Sequence, residues 1–501
     1  MSGLQAHLPV LQVIVPMLTA PLVILVKERR LCWSATLLAS LCALAIAISL
    51  CIDVLNGDYI RYLMGSWPAP WGIELRVDAF SALLLLIVNG ASSLALIGAT
   101  ASLDRDIENS RQPLFYAAWL LALAGLNGIL VTADAFNIFV FMEISALASY
   151  VLISAGPNRR ALPAVFKYLI MGTIGATFYL IGVGLIYLMT GTLNIADMEL
   201  RLVGVADQKP ILVAAGFITV GLALKAAVFP LHIWLPNAYT YAPNMVTVFL
   251  AACATKVSLY ILLRIDFFVF QQSLSEHDFQ FSYFLMPLSL LAILIASTEA
   301  MFEPNLKRLL AWSSVAQIGY ITLGASLVSV AGLTASLLHM FNHALAKGAL
   351  FLVLACLGMS LSHLRINNIA GIAKQMPWTM AAFVLAGLSL IGVPGTAGFI
   401  SKWYLITAAL ESGPWGPALI AVIIISSLMA VVYIWRIVET AYFKPADEQV
   451  AGKQEYVREA PLLLLLATWI AVALNFYFGL SAALPVELAD SAARVLMGHV
   501  R

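Results

Sequence analysis

Seven ionisable side chains stand inside stretches that are otherwise apolar: Glu143, Lys225, Lys256, His339, His343, Lys347 and Lys402. The four lysines and the glutamate would together cost on the order of 12–17 kcal/mol if placed unpaired in hydrocarbon. That equals or exceeds the whole stability of a typical domain, about 5–15 kcal/mol. They must therefore be paired or hydrated, and groups of this kind pass protons or hold ions. Glu143, in FNIFVFMEISALASY, reads as an ion-pair partner or proton site, with an interhelical hydrogen-bonding role as the plainer alternative. A buried lysine gives up its proton readily because desolvation disfavours its charged form, so Lys256 in ATKVSLY and Lys402 in GFISKWYLI are candidate relay stations.

His339, His343 and Lys347 recur every four residues, which stacks them on one helix face. Two histidines so spaced can bind zinc or haem. Here Met-Phe-Asn separates them, without the glutamate of a HExxH motif and without a nearby cysteine, so no metal or other cofactor is expected. A hydrated proton wire suits the stripe better, since imidazole both accepts and donates near neutral pH. A row of polar interhelical contacts is the structural alternative. Asp78 is expected at an interface in a structural role, and the Arg159–Arg160 and Lys307–Arg308 pairs are expected to act as topology signals.

The elements that position these groups are membrane spans. Of the 501 residues, 62% are hydrophobic and 11% charged, against about 25% charged in soluble domains. Long apolar runs recur throughout, so the fold is an all-α polytopic bundle. About fourteen spans are expected, near 7–26, 31–52, 77–100, 113–131, 134–154, 163–189, 211–239, 243–264, 282–300, 305–324, 329–360, 377–410, 415–440 and 460–482. No cleavable leader is expected, since no basic region precedes the first run. A net charge of +1 predicts no nucleic-acid partner. The five cysteines form no CxxC pair, which argues against metal, iron–sulfur and disulfide roles. Loop lysines and arginines crowd one side of the expected topology, which places both termini outside.

Two spans are too long and carry breaks. Pro230 and Pro236 are expected to interrupt the seventh, next to Lys225, and Pro394 in GVPGTAG to interrupt the twelfth, next to Lys402. His232 lies in the first break, either lining a polar path or capping freed backbone groups. The breaks are five spans apart, so two units of five spans would run in opposite directions, with a site at the midplane. The expected organisation is 1–112, an N-terminal three-helix segment; 113–265, the first inverted repeat; 266–445, the second; and 446–501, a final helix and tail.

The stretches LKAAVFPLHIWLPNAYTYAP, TKVSLYILLR, NLKRLLAWSSVAQIGY, HALAKGALF and GVPGTAGFISKWYLI resemble the proton-conducting subunits shared by Mrp-type sodium/proton antiporters, respiratory complex I and membrane-bound hydrogenases. The likeness covers about residues 75–445. It implies a fourteen-helix fold with two inverted five-helix repeats and a central polar axis. The family's fifth-helix glutamate falls on Glu143, its seventh-helix lysine on Lys225 and its eighth-helix lysine on Lys256. Its polar eleventh-helix stripe falls on His339, His343 and Lys347, and its twelfth-helix residue on Lys402, where some complex I subunits have glutamate.

Within the family, the chain looks most like the antiporters' D subunit. That likeness implies a bacterial inner-membrane transporter subunit, not itself an enzyme, working with other membrane subunits on protons and sodium ions in the bilayer. The alternative is a proton-pumping subunit of a complex I-like oxidoreductase or an energy-converting hydrogenase. Two further classes are a metal enzyme built on the histidines and a structural membrane scaffold.

Overall fold

A computed structural model describes residues 3–57, 59–270, 281–445 and 457–498. The chain opens with α1 (Leu8–Val26) and α2 (Arg29–Leu55), then an antiparallel hairpin of β1 (Ile60–Leu63) and β2 (Glu74–Val77). Next come α3 (Ala79–Ile97), the short α4 (Ala99–Asp106), α5 (Gln112–Val131), α6 (Ala135–Ser154) and α7 (Ala161–Thr190). After the short α8 (Ile195–Leu202) follow α9 (Lys209–Ala226), the seven-residue α10 (Leu235–Tyr241) and α11 (Asn244–Leu263). The remainder is α12 (Phe281–Phe302), α13 (Leu306–Ser326), α14 (Val330–Ser360), α15 (Pro377–Ile391), α16 (Ala397–Leu410), α17 (Gly416–Tyr442), α18 (Leu462–Leu480) and α19 (Ala483–Leu496).

Among the described residues, twelve helices are long and apolar enough to cross a membrane. The two other expected spans correspond to α13 and to the broken pair α15 and α16. The expected boundary at 446 lies outside the described residues.

Local sequence sets where the helices start. Asp78 accepts from the Ser81 amide at 3.0 Å, Asp134 from Asn137 at 2.7 Å and Asn305 from Arg308 at 3.1 Å. Each satisfies an amide that the first turn leaves orphaned. The 31-residue α14 is apolar nearly all round and almost wholly buried, the signature of a helix enclosed by others. It packs against α11, α13, α15, α16, α18 and α19, so its polar stripe sits at the centre of the molecule.

Helices α7 and α9 meet where neither has a side chain: a Cβ on Gly175 would lie 2.7 Å from the Gly221 carbonyl oxygen and 3.2 Å from Lys225 Cγ. That close approach seats the lysine.

Both expected breaks are present, with one correction. Helix α9 stops at Ala226, and Ala227 takes a left-handed conformation at φ 56°. Pro230 cannot continue the helix because it has no N–H and its ring would strike the carbonyl four residues back. Pro236 does not interrupt a helix; it lies in the first turn of α10, where a missing N–H costs nothing. The second break runs from Gly392, left-handed at φ 92°, through Pro394 to Thr396. Each break falls in the fourth span of its expected five.

Candidate functional site

Lys225 lies in the last turn of α9, where the break leaves carbonyls without helical partners. The Trp234 indole caps one of them, donating to Leu224 O at 2.9 Å, and Val228 N caps Ala223 O at 3.0 Å. Lys225 Nζ donates to Glu143 Oε1 on α6 at 3.1 Å. Beside the lysine is a cavity of about 30 Å³, bordered by Ser145, Ser149, Tyr150, Tyr168 and Ser258 among others. It is polar enough and large enough to hold a water. Tyr168 closes one wall and stacks on Trp234 at 4.2 Å between ring centroids. The paired break, tryptophan and tyrosine hold the lysine at the join of α6, α7, α9 and α11.

Lys256, in the middle of α11, is 0% exposed, and its Nζ donates to Ala251 O at 2.5 Å. It lies within electrostatic reach of His343 and Lys347 on the neighbouring α14. Lys347 Nζ donates to Leu310 O at 2.8 Å and to the Ser313 hydroxyl.

His343 is 2% exposed, and neither ring nitrogen has a hydrogen-bond partner among the described residues. A buried imidazole in that condition calls for water. His339 is the opposite case: Nε2 lies 2.8 Å from Gln317 Oε1 and Nδ1 lies 2.9 Å from Ser401 Oγ. The two rings are nearly parallel, 6.1 Å apart, and with both nitrogens of His339 engaged they do not converge on a common ligand position.

Lys402 uses the second break as Lys225 uses the first. Its Nζ donates to Ile391 O at 2.7 Å, Leu390 O at 3.3 Å and Ser427 Oγ at 2.9 Å. These carbonyls are the orphans at the end of α15, the negative pole of that helix, so they suit an ammonium group. A Cβ on Gly392 would fall 2.8 Å from Lys402 Cδ, so a glycine is needed there for space as well as for its φ.

All seven expected residues thus fall on one connected set of helices: the Glu143–Lys225 bond links α6 to α9, and α9 packs on α11, α11 on α14 and α14 on α16. His232 lies off that line, stacked on Phe229 at 5.2 Å and edge-on to Trp312 at 5.4 Å, with Nδ1 unpartnered.

Several buried charges escaped the sequence reading. Arg264, which looks like a loop residue, is buried and makes a two-pronged ion pair with Asp78, 186 positions away in sequence. Lys307, read as a topology signal, is buried and donates to Ala242 O at 2.9 Å, clasping the end of α10. On the other side of that turn, Asp106 Oδ2 accepts from Asn244 N at 3.1 Å. Asp266 is a further buried acid, alongside Glu74 and Asp78, accepting from Thr219 Oγ1 at 3.0 Å. The only sequence signal for these was a charge set close to an apolar run.

Comparison with known proteins places this geometry. The NADH:quinone oxidoreductase/Mrp antiporter transmembrane family matches residues 132–430, well over half of the chain. The NADH-quinone oxidoreductase subunit N of Desulforudis audaxviator is 44% identical over 88% of this chain and 87% of its own length. The D subunit of the Na(+)/H(+) antiporter of Alkalihalophilus pseudofirmus is 30% identical over 80% of each chain. Among solved structures, a chain of the Mrp complex from a Dietzia species superposes with a TM-score of 0.90, at 27% identity, covering 100% of this chain and 98% of that one. The chain belongs to the NADH:quinone oxidoreductase/Mrp antiporter family of transmembrane subunits.

Proposed function

We propose that this chain is the proton-conducting subunit of a multisubunit monovalent cation/proton antiporter, sodium being the expected cation. Protons move along Glu143–Lys225, Lys256, His343–Lys347, His339 and Lys402. The observation that carries this reading is the run of buried basic groups itself, in which Lys256, Lys347 and Lys402 are held by carbonyls or hydroxyls and only Lys225 has a carboxylate counter-ion among the described contacts. Neighbouring like charges in a low-dielectric interior repel, so a proton arriving at one station presses the next to leave. Separating Glu143 from Lys225 removes the attraction that holds the lysine charged and starts that sequence.

The same reading takes 113–265 and 266–445 as inverted repeats, supported by the matching fourth-span breaks. It also keeps both termini outside the cell, supported by the side on which the basic loops fall. The test is reconstitution of the assembled complex in vesicles with an imposed proton gradient. A sodium-dependent change of internal pH that disappears in Lys225→Ala supports the reading, and no sodium-dependent change overturns the antiport assignment.

A second reading has one specific observation in its favour, the 44% identity to an oxidoreductase subunit against 30% to an antiporter subunit. In it the same path serves a redox-driven pump, and electron transfer belongs to partner subunits. Proton uptake driven by an electron donor and acceptor, with no response to sodium, would select it.

A further inference from the structure

Both described termini lie at the end of the molecule that carries the β-hairpin: His7 meets Tyr62 of β1 at 3.2 Å, and α19 faces Arg76 of β2. There α11 continues the face on which Lys256 sits. Tyr260 and Arg264 follow it at four-residue steps, so all three stack along one side of the helix. Arg264 Nη1 donates to Asp78 Oδ2 at 2.8 Å and Nη2 to Asp78 Oδ1 at 2.7 Å. Its Nη2 also reaches Ser81 Oγ at 3.4 Å. Ser81 Oγ lies 2.9 Å from Tyr260 Oη, which donates to Leu130 O at 3.2 Å. A hydrogen-bonded chain thus joins the tyrosine to the ion pair.

Two cavities approach that pair from outside. One of about 340 Å³ lies between the end of α2, the hairpin and α19, with Asp78, Arg76, Glu487, Asp490 and Arg494 among its lining. The other, about 20 Å³, touches Tyr260, Arg264 and Arg76 and has room for a water. Arg264 Nε is buried without a hydrogen-bond partner among the described residues, and such a water would answer it. The Asp78–Arg264 pair and Arg76 therefore stand between a wide polar cavity and the small one that reaches the tyrosine. A buried ion pair gains little stability over apolar side chains, because desolvation offsets its attraction, and a switch is among the best-attested reasons to keep one.

We propose that the Asp78–Arg264 pair gates a proton outlet running from Lys256 through Tyr260 and the small cavity into the wide one. The proposal rests on the proton-conducting reading above. The Lys256 ammonium, now turned back toward Ala251 O, releases its proton to a bridging water and is left a neutral amine. Tyr260 Oη, turned from Leu130 O toward the small cavity it borders, passes its own proton to the water there as it takes one from the bridging water. Turning of the Asp78–Arg264 pair joins the small cavity to the wide one, and the excess proton leaves through water. The tyrosine hydroxyl then rotates back to Leu130 O. Arg264 keeps its charge throughout; with the pair closed, its fixed positive charge opposes protons returning from outside.

The test uses the assembled complex in vesicles, reading both driven transport and the passive proton leak under a clamped potential. Tyr260→Phe is expected to lower driven transport at least about tenfold, the scale of one lost hydrogen bond in a relay, and to leave the leak unchanged. Arg264→Gln is expected to raise the leak by a similar factor, and adding Tyr260→Phe to it should bring the leak back down. A leak that persists in the double variant would mean loosened packing and would overturn the outlet, as would full transport in Tyr260→Phe. Should Arg264→Gln fail to assemble, Arg76→Gln, which thins the positive charge between the two cavities, must raise the leak in a way that Tyr260→Phe reverses, or the proposal falls. A wild-type complex that moves no protons sinks the transport reading as a whole; normal wild-type transport with unaffected variants sinks the outlet alone.

Discussion

Lys225 and Glu143 meet at 3.1 Å, yet the lysine side chain is 7% exposed and the glutamate 26%. The carboxylate thus sits at the flank of the molecule, in mid-span, while its partner faces the interior path. An arrangement in which one member of a pair can be reached from beside the chain allows a neighbour to pull the pair apart. Lys225→Ala is expected to assemble normally and to lower cation-dependent proton movement by at least about a hundredfold, the lower range for losing a proton-transfer group. Glu143→Gln keeps a hydrogen-bond acceptor but loses the charge, and should be similarly impaired. Normal transport by correctly assembled Lys225→Ala would remove it from the relay.

The unpartnered imidazole makes a sharper comparison. His343→Ala should impair transport strongly, whereas substitution of the exposed His363 should leave it unchanged. Equal activities in the two variants would favour a packing role for His343. Stoichiometric zinc or haem in the purified protein, lost with either His339 or His343, would point instead to a metal site.

The members of the proposed path were visible in the sequence because they break the local pattern. A lysine within an apolar run is visible without knowing what it touches, and a proline next to it marks the break. What could not be read was pairing across distance. Asp78 and Arg264 are 186 positions apart, and each lies at the end of an apolar run, where a charge passes for an ordinary loop residue. Lys307 resembled an ordinary loop residue for the same reason, although it caps Ala242 inside the fold. Pro236 misled differently: a proline at the start of a short helix and one that stops a helix look alike until the dihedral angles are known. The hydroxyl and amide partners of the path, Gln317, Ser401, Ser313 and Ser427, are common residues that gain meaning only from position.

Two carboxyls outside the spans predict opposite responses to pH. Burial pushes Asp78 up, but the Arg264 charge and hydrogen bonds from Arg264 and Ser81 outweigh it and hold the carboxyl at about 2. Its folded value is below the ordinary one, so its contribution to stability is complete above about pH 4 and fades as pH falls toward 2. Burial pushes Asp106 upward, and the opposing Asn244 amide, Lys307 and Arg105 do not cancel it. A raised carboxyl holds its proton better when folded, so stability falls as pH climbs through the ordinary carboxylate range toward its folded value. Asp106→Asn, which retains an acceptor for Asn244, should therefore raise the thermal transition in detergent at pH 7 and have little effect at pH 4. Asp78→Asn should lower stability at pH 7 by about 3–5 kcal/mol, because it leaves Arg264 buried without its counter-charge. A lower transition for Asp106→Asn at pH 7 would reverse the sign assigned to its burial.

Dependence on partners gives the last prediction. A row of charged stations moves ions in one direction only when something biases the stations in order, and a coupled cation must bind where it can supply that bias. Among the described residues the path contains one carboxylate, Glu143, and that carboxylate lies part-exposed at the flank. Asp266, a buried acid near a span end, is engaged by Thr219 and does not contact the lysines in the described hydrogen bonds. One chain thus supplies a conduit without an evident cation cage. The purified polypeptide is expected to be folded but inactive in antiport and to gain activity only with its co-encoded membrane subunits. The measurement is internal pH in vesicles bearing either the single chain or the whole complex, before and after addition of sodium. A sodium-dependent pH change from the single chain, abolished in Glu143→Gln, would show that this polypeptide is by itself a complete antiporter.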